Sequence, residues 1–139
     1  MIAYLDSSVI LRMVLGQPDR LREWKTLRTG VASALVEVEC LRTLDRLKIR
    51  EDIADAEIAT RREAVFRLIE EIEIVEPTRV VLSRASQPLP TPLGTLDAIH
   101  LATALLWQEK ERKQLVMATH DTALGMAARA CGLRVAGLS

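Results

Sequence analysis

Aromatic residues are almost missing from this chain of 139 residues, which has one Tyr, one Phe and two Trp. A hydrophobic core must then be packed mainly by Leu, Val, Ile and Ala. Net charge is missing too: 19 basic residues balance 19 acidic ones. That balance excludes a protein that holds nucleic acid by bulk electrostatics. It leaves room for a local basic strip, since most of the positive charge is Arg. The two cysteines, Cys40 and Cys131, lie far apart with no C-x-x-C spacing, so they read as free thiols packed in apolar helices. No apolar run approaches the roughly 20 residues of a membrane span, and no signal peptide precedes the first apolar segment. The expectation is a soluble, cytoplasmic protein with no membrane partner. The length suits one domain, residues 1–139, with a substantial core.

Proline is concentrated in one place. Three of the five prolines fall in "SQPLPTPLG", a stretch that can continue neither a helix nor a central strand and reads as a loop. Around it, short apolar runs alternate with helical periodicities. Strands are expected at Ile2 to Leu5, Val31 to Ser33, Ile72 to Val75, Leu115 to Thr119 and Leu133 to Ala136. Helices are expected at Ser7 to Leu15, Asp19 to Arg28 (closed by Gly30), Ala34 to Lys48, Ile53 to Ile69, Thr95 to Glu111 and Thr122 to Ala130. Arg79 to Ala85 reads as a helical turn or two. Strands alternating with helices predict a parallel sheet covered on both faces. Ligands of such sheets bind beyond the C-terminal strand ends, at a switch point.

Two acids stand just past strand ends: Asp6 in "IAYLDSSVIL", and Asp121 after "LVMATH". Each also reads as an N-cap for the helix that follows. Asp97 in "GTLDAIHLATALL" falls in the first turn of a long apolar helix, where a carboxylate favours the positive dipole end. Glu37 and Glu39 lie about 200° apart on a helical wheel, so one face cannot hold both. The wheel puts Glu37 nearer the apolar arc and Glu39 beside Arg42, with which it would form a surface pair of little energetic weight. His100 and His120 form no H-x-x-x-H pattern and read as structural or solvent-facing. Read jointly, the acids carry a different meaning. Carboxylates gathered in one place repel and raise one another's pKa. Such a cluster persists with a compensating cation, and hard oxygen donors without cysteine suit Mg²⁺ or Mn²⁺ rather than zinc. An acid-lined divalent site in an α/β fold handles phosphate esters.

The segments "YLDSSVILR", "SALVEVECLRTL", "TLDAIHLATALL" and "ATHDTALGMAARACGLRV" follow the order of a PIN domain. More narrowly, the whole chain resembles the VapC-like toxins of bacterial and archaeal toxin–antitoxin pairs. The resemblance implies a three-layer α/β/α sandwich with five parallel strands ordered 3-2-1-4-5. It implies a Mg²⁺- or Mn²⁺-dependent endoribonuclease, an RNA substrate, a cognate antitoxin and a homodimer. Carried over by motif, the family's acids fall on Asp6, Glu39, Asp97 and Asp121. Asp6, Asp97 and Asp121 are the expected metal ligands. Glu39 is fixed by the pattern Ser33, Leu35, Glu39, Arg42. Ser7 and Thr119 match the small hydroxyl residues that orient those groups.

Two other classes fit parts of this pattern. A haloacid-dehalogenase-like phosphatase would use Asp6 as nucleophile, but would carry D-x-D where this chain has Asp6 and Ser8. A non-catalytic binding module would use the acids only as helix caps. The two glutamates supply a direct check of the motif register. Glu39→Gln is expected to impair catalytic activity more than Glu37→Gln, compared as purified variants in one assay. Greater damage from Glu37→Gln would place the functional face of this helix elsewhere.

Overall fold

The computed structural model describes residues Met1–Leu138. Five strands form one parallel sheet: β1 (Ile2–Leu5), β2 (Thr29–Ser33), β3 (Glu73–Val75), β4 (Val116–Ala118) and β5 (Arg134–Ala136). Their order is β3-β2-β1-β4-β5, as the resemblance implied. The chain moves outward from β1 in one direction, then returns to pair β4 on its other side. The switch point therefore lies between the C-terminal ends of β1 and β4, where Leu5 faces Ala118 in register.

Six helices cover the sheet: α1 (Ser7–Val14), α2 (Leu35–Glu51), α3 (Asp55–Glu70), α4 (Arg79–Ala85), α5 (Thr95–Glu111) and α6 (Thr122–Ala130). Alternation along the strands divides the core in two. Ala3, Leu5, Ala32 and Ala118 face α1, α2 and α3, packing on Val9, Ile10, Val36, Cys40, Leu44 and Val65. Tyr4, Val31 and Met117 face α5 and α6, meeting Leu101, Ala104, Leu105, Leu124 and Ala128. Burial of each large aliphatic side chain contributes about 2 kcal/mol. Leu15, Trp24 and Leu27, partly buried, also lean on the first of these clusters. Cys40 and Cys131 are free thiols, the former buried, and burial beside Glu39 and Asp6 pushes the Cys40 thiol up to about 12. It behaves as a small hydrophobe.

The charged helix expected from Asp19 to Arg28 does not form. Only Arg22–Thr26 winds, as a short 3₁₀ turn, and Gly30 lies inside β2 rather than closing a helix. The cause is the sheet. Arg28 N–H donates to Met1 O at 2.8 Å, and Thr29 and Gly30 pair with Ile2 and Ala3, which draws these residues into extended backbone. Leu21, Trp24 and Leu27 still pack on the core, but from this short turn rather than from a full helix. The other elements fall within a few residues of the expected positions.

Beyond β5, the backbone passes close under the loop that leaves β4. Gly137 has φ +100°, and a Cβ there would lie 2.5 Å from the backbone oxygen of Thr119. Both facts call for glycine. Gly137→Ala is expected to lower the melting temperature by roughly 5–10 °C, since strain plus a backbone clash costs about 2–3 kcal/mol. Thermal unfolding of the variant checks this. An unchanged melt would mean that β5 and this loop move apart freely.

Candidate active site

Asp6 follows the last residue of β1, and its amide still extends the ladder by donating to Ala118 O at 3.1 Å. The side chain is only 4% exposed. It stands at the N-cap position of α1 yet makes no capping bond. Instead Oδ2 accepts from Ser8 Oγ and from Thr119 Oγ1, each at 2.8 Å. Those hydroxyls are themselves oriented by the loop after β4. Ser8 Oγ accepts from the His120 amide at 3.0 Å, and Thr119 Oγ1 from the Asp121 amide at 3.0 Å. Each hydroxyl thus spends its single proton on Asp6. The other carboxylate oxygen, Oδ1, takes no hydrogen bond from the described residues.

Asp121 does cap a helix: Oδ1 accepts from the Leu124 amide at 2.9 Å at the start of α6. Its side chain is on the exposed side of the same loop. Asp97 occupies the first turn of α5 and is half-buried. Its carboxyl is held above the usual aspartate range, first by burial and then by the charges of Asp121 and Asp6, with Glu39 adding to them and His100 opposing. The charges of the other three acids are thus felt at Asp97.

Glu39 points inward while Glu37 is exposed, the reverse of the helical wheel. Arg42 pairs with Asp45 instead, and Glu39 Oε1 lies 2.5 Å from His100 Nε2. His100 Nδ1 lies 2.5 Å from Tyr4 Oη. His100 is therefore structural in its burial but bound to the site. The hydroxyl on Asp6 is that of Ser8, two residues along, rather than that of Ser7; Thr119 lies where the motif put it. Ser8, Tyr4, His100 and His120 were not singled out for these contacts by the sequence. The signal for Ser8 was its place two residues past Asp6, in the first turn of α1, which folds back toward the strand end.

Among the described residues, no three His, Cys, Asp or Glu side chains are gathered tightly enough to enclose an ion. The donor set still fits a hard divalent cation, in that it consists of carboxylate oxygens, one of them destabilised as an anion by its neighbours. Mg²⁺ retains several waters and needs one or two carboxylates rather than a protein cage.

Residues 3–129 match the family model described as PIN domain. The chain belongs to the PIN domain family. Within it the chain is VapC-like: it is 35% identical to "Ribonuclease VapC46" of Mycobacterium tuberculosis over 136 residues, 95% of this chain and 94% of that protein. It is 28% identical to "Ribonuclease VapC47" of the same species over 131 residues, covering 93% and 91%. Among solved structures, VapBC2 from Rickettsia felis, bound to a DNA fragment from its promoter, aligns with a TM-score of 0.65 at 12% identity, over 97% of each chain. A toxin–antitoxin complex from Klebsiella pneumoniae aligns with a TM-score of 0.62 at 16% identity, over 88% of this chain and 89% of that one. At those identities the structural likeness concerns the fold.

Asp97 yields a signed pH dependence. Its folded pKa is raised, so the stability it contributes is full below the unfolded value of about 3.9 and is lost as pH rises through the folded value. In chelator-treated buffer at pH 7, Asp97→Asn is expected to melt a few degrees above the wild type. The gap should close as pH falls toward 4. Melting curves across that range decide; a lower melt for the variant at pH 7 would contradict the repulsion.

Proposed function

We propose that this protein is a Mg²⁺- or Mn²⁺-dependent endoribonuclease acting as the toxin of a toxin–antitoxin pair in the cytoplasm. The observation that carries the reading is the buried Asp6 carboxylate at the switch point, its Oδ2 held by Ser8 and Thr119, with Asp97 raised first by burial and then by the charges of Asp121, Asp6 and Glu39. The curated relatives are named as ribonucleases, and two of the structural neighbours are toxin–antitoxin assemblies. Among the described residues, no helix is long and apolar enough to cross a membrane.

Asp6, Asp97 and Asp121 would hold the ion. When bound, it supplies positive charge against the phosphodiester and makes a nearby water more acidic. The chain's own part is positional. Asp6 is locked by two hydroxyls and offers its remaining oxygen. Asp121 is fixed by its cap, and Glu39, tied through one oxygen to His100, offers the other as an acceptor for the proton of the attacking water. Water adds to phosphorus as the bond to the 3′-oxygen breaks, so the products carry a 5′-phosphate and a 3′-hydroxyl. A cleft of about 640 Å³ is bordered by Arg12, Arg20, Arg22 and His120, the neighbour of Asp121 in sequence, with Asp19 and Glu23 also on its walls; none of the four acids lines it. Its arginines suit the phosphate backbone of an incoming strand. A basic side chain from the antitoxin would enter the same acidic pocket and compete there, and the toxin would self-associate as a homodimer.

The aspartyl-nucleophile alternative loses support here. The place of its second aspartate is taken by Ser8, whose hydroxyl donates to Asp6. Asp6→Asn is expected to lower RNA cleavage by more than about 100-fold. It should melt close to the wild type, because the asparagine carbonyl can still accept from Ser8 and Thr119. Sequencing of RNA ends after brief expression checks the reaction type. Ends bearing 2′,3′-cyclic phosphate, or an active Asp6→Asn protein, would overturn the mechanism.

A further inference from the structure

We infer that His100 is the positioning residue for Glu39: buried between Tyr4 and Glu39, it donates from Nε2 to Glu39 Oε1 and so aims the free oxygen of that glutamate at the acid cluster. The inference rests on the ribonuclease reading and adds to its four acids two groups, an imidazole and a phenol.

A carboxylate only accepts, so the bond between His100 Nε2 and Glu39 Oε1 is donated by the ring. His100 lies one helical turn beyond Asp97 on α5 and is 0% exposed. Tyr4, on β1, is also 0% exposed, and its hydroxyl accepts the Ser33 amide proton at 3.2 Å. Ser33 Oγ in turn accepts from the Leu35 amide at 3.1 Å, at the start of α2, the helix that carries Glu39. Burial, reinforced by the charges of Asp6 and Glu39, keeps Tyr4 protonated at all ordinary pH. A protonated Tyr4 that already accepts from Ser33 directs its own proton to His100 Nδ1. The imidazole proton then sits on Nε2, facing Glu39. If His100 gains a second proton, Nδ1 changes role but Nε2 still donates. The bond to Glu39 therefore survives either state of the ring.

The consequence is mechanical. Glu39 projects from a helix as a flexible side chain among carboxylates that repel it. The nearest described donor that holds it is His100, which is itself clamped from β1 across 96 residues of sequence. Oε1 is used by that bond, and Oε2 takes no hydrogen bond from the described residues. One glutamate oxygen is thus structural and the other functional. Strand β1 supplies Asp6 through its end and, through Tyr4, sets the orientation of Glu39 as well.

The test combines kinetics with NMR of the metal-free protein. His100→Ala is expected to lower kcat by about 10- to 100-fold with KM within about twofold. His100→Gln, which carries an amide donor near the place of Nε2, should recover most of that loss. Added to Glu39→Gln, His100→Ala should cost little more, because the two act as one unit. Long-range ¹H–¹⁵N spectra of the metal-free wild type should show His100 protonated at Nε2, with a signal that moves on Glu39→Gln; Tyr4→Phe should disturb the ring while leaving the fold intact. The inference is overturned by an unprotonated Nε2, by full additivity of the two substitutions, or by folded His100→Gln that is as impaired as His100→Ala. If the wild type cleaves no RNA, the ribonuclease reading fails. The Nε2 signal then decides alone whether His100 holds Glu39.

Discussion

The pairing of β1 with β4 is the constraint on which the rest depends. It is what lets a carboxylate lie almost fully buried at the end of a strand. Isolated, a charge at that depth is costly. Asp6 is tolerated because the loop after β4 delivers the Thr119 hydroxyl to it from one side while α1 delivers Ser8 from the other. The same loop orients both hydroxyls through its own amides and carries Asp121. One parallel register, Leu5 against Ala118, thereby sets the distance between two of the four acids.

The remaining acids arrive on helices, and their placement follows from the two-sided cover of the sheet. Helix α5 is apolar and largely buried from Ala98 to Trp107, apart from His100 and Thr103. Asp97 stands in its first turn, and His100 lies one turn deeper. Helix α2 lies on the opposite layer, and its Glu39 meets His100 at the end of the sheet, where the layers approach. Repulsion among the acids is thus held in place by packing that has no other outlet. Asp97 is the acid that burial and its neighbours' charges raise.

Much of this was legible in the sequence, for identifiable reasons. Strands that are short, apolar and bounded by Gly or Asp are hard to mistake, and parallel pairing follows from their alternation with helices. The Asp19–Arg28 segment was not legible, because its fate was decided by hydrogen bonds to Met1 and Ile2 across the sheet and not by local propensity. Glu39 shows the limit of a helical wheel. A wheel measures distance from the average apolar arc of Val36, Cys40 and Leu44 and favours Glu37; it has no knowledge of α5, whose histidine is 61 residues away. The motif pattern instead points to the glutamate that meets His100. Ser8 was visible but read through its neighbour Ser7, since a strand-to-helix turn changes which of two adjacent hydroxyls faces back.

The proposed function turns on Asp6, Asp97 and Asp121 holding a divalent cation beside Glu39. A crystal grown or soaked in MnCl₂ and measured for anomalous scattering addresses that point. A manganese peak within ligating reach of the Asp6 carboxylate, between it and Asp97 and Asp121, is the expected result, and it should vanish in an Asp6→Asn crystal treated alike. Manganese bound elsewhere on the chain with this pocket empty, at concentrations that saturate activity, would contradict it.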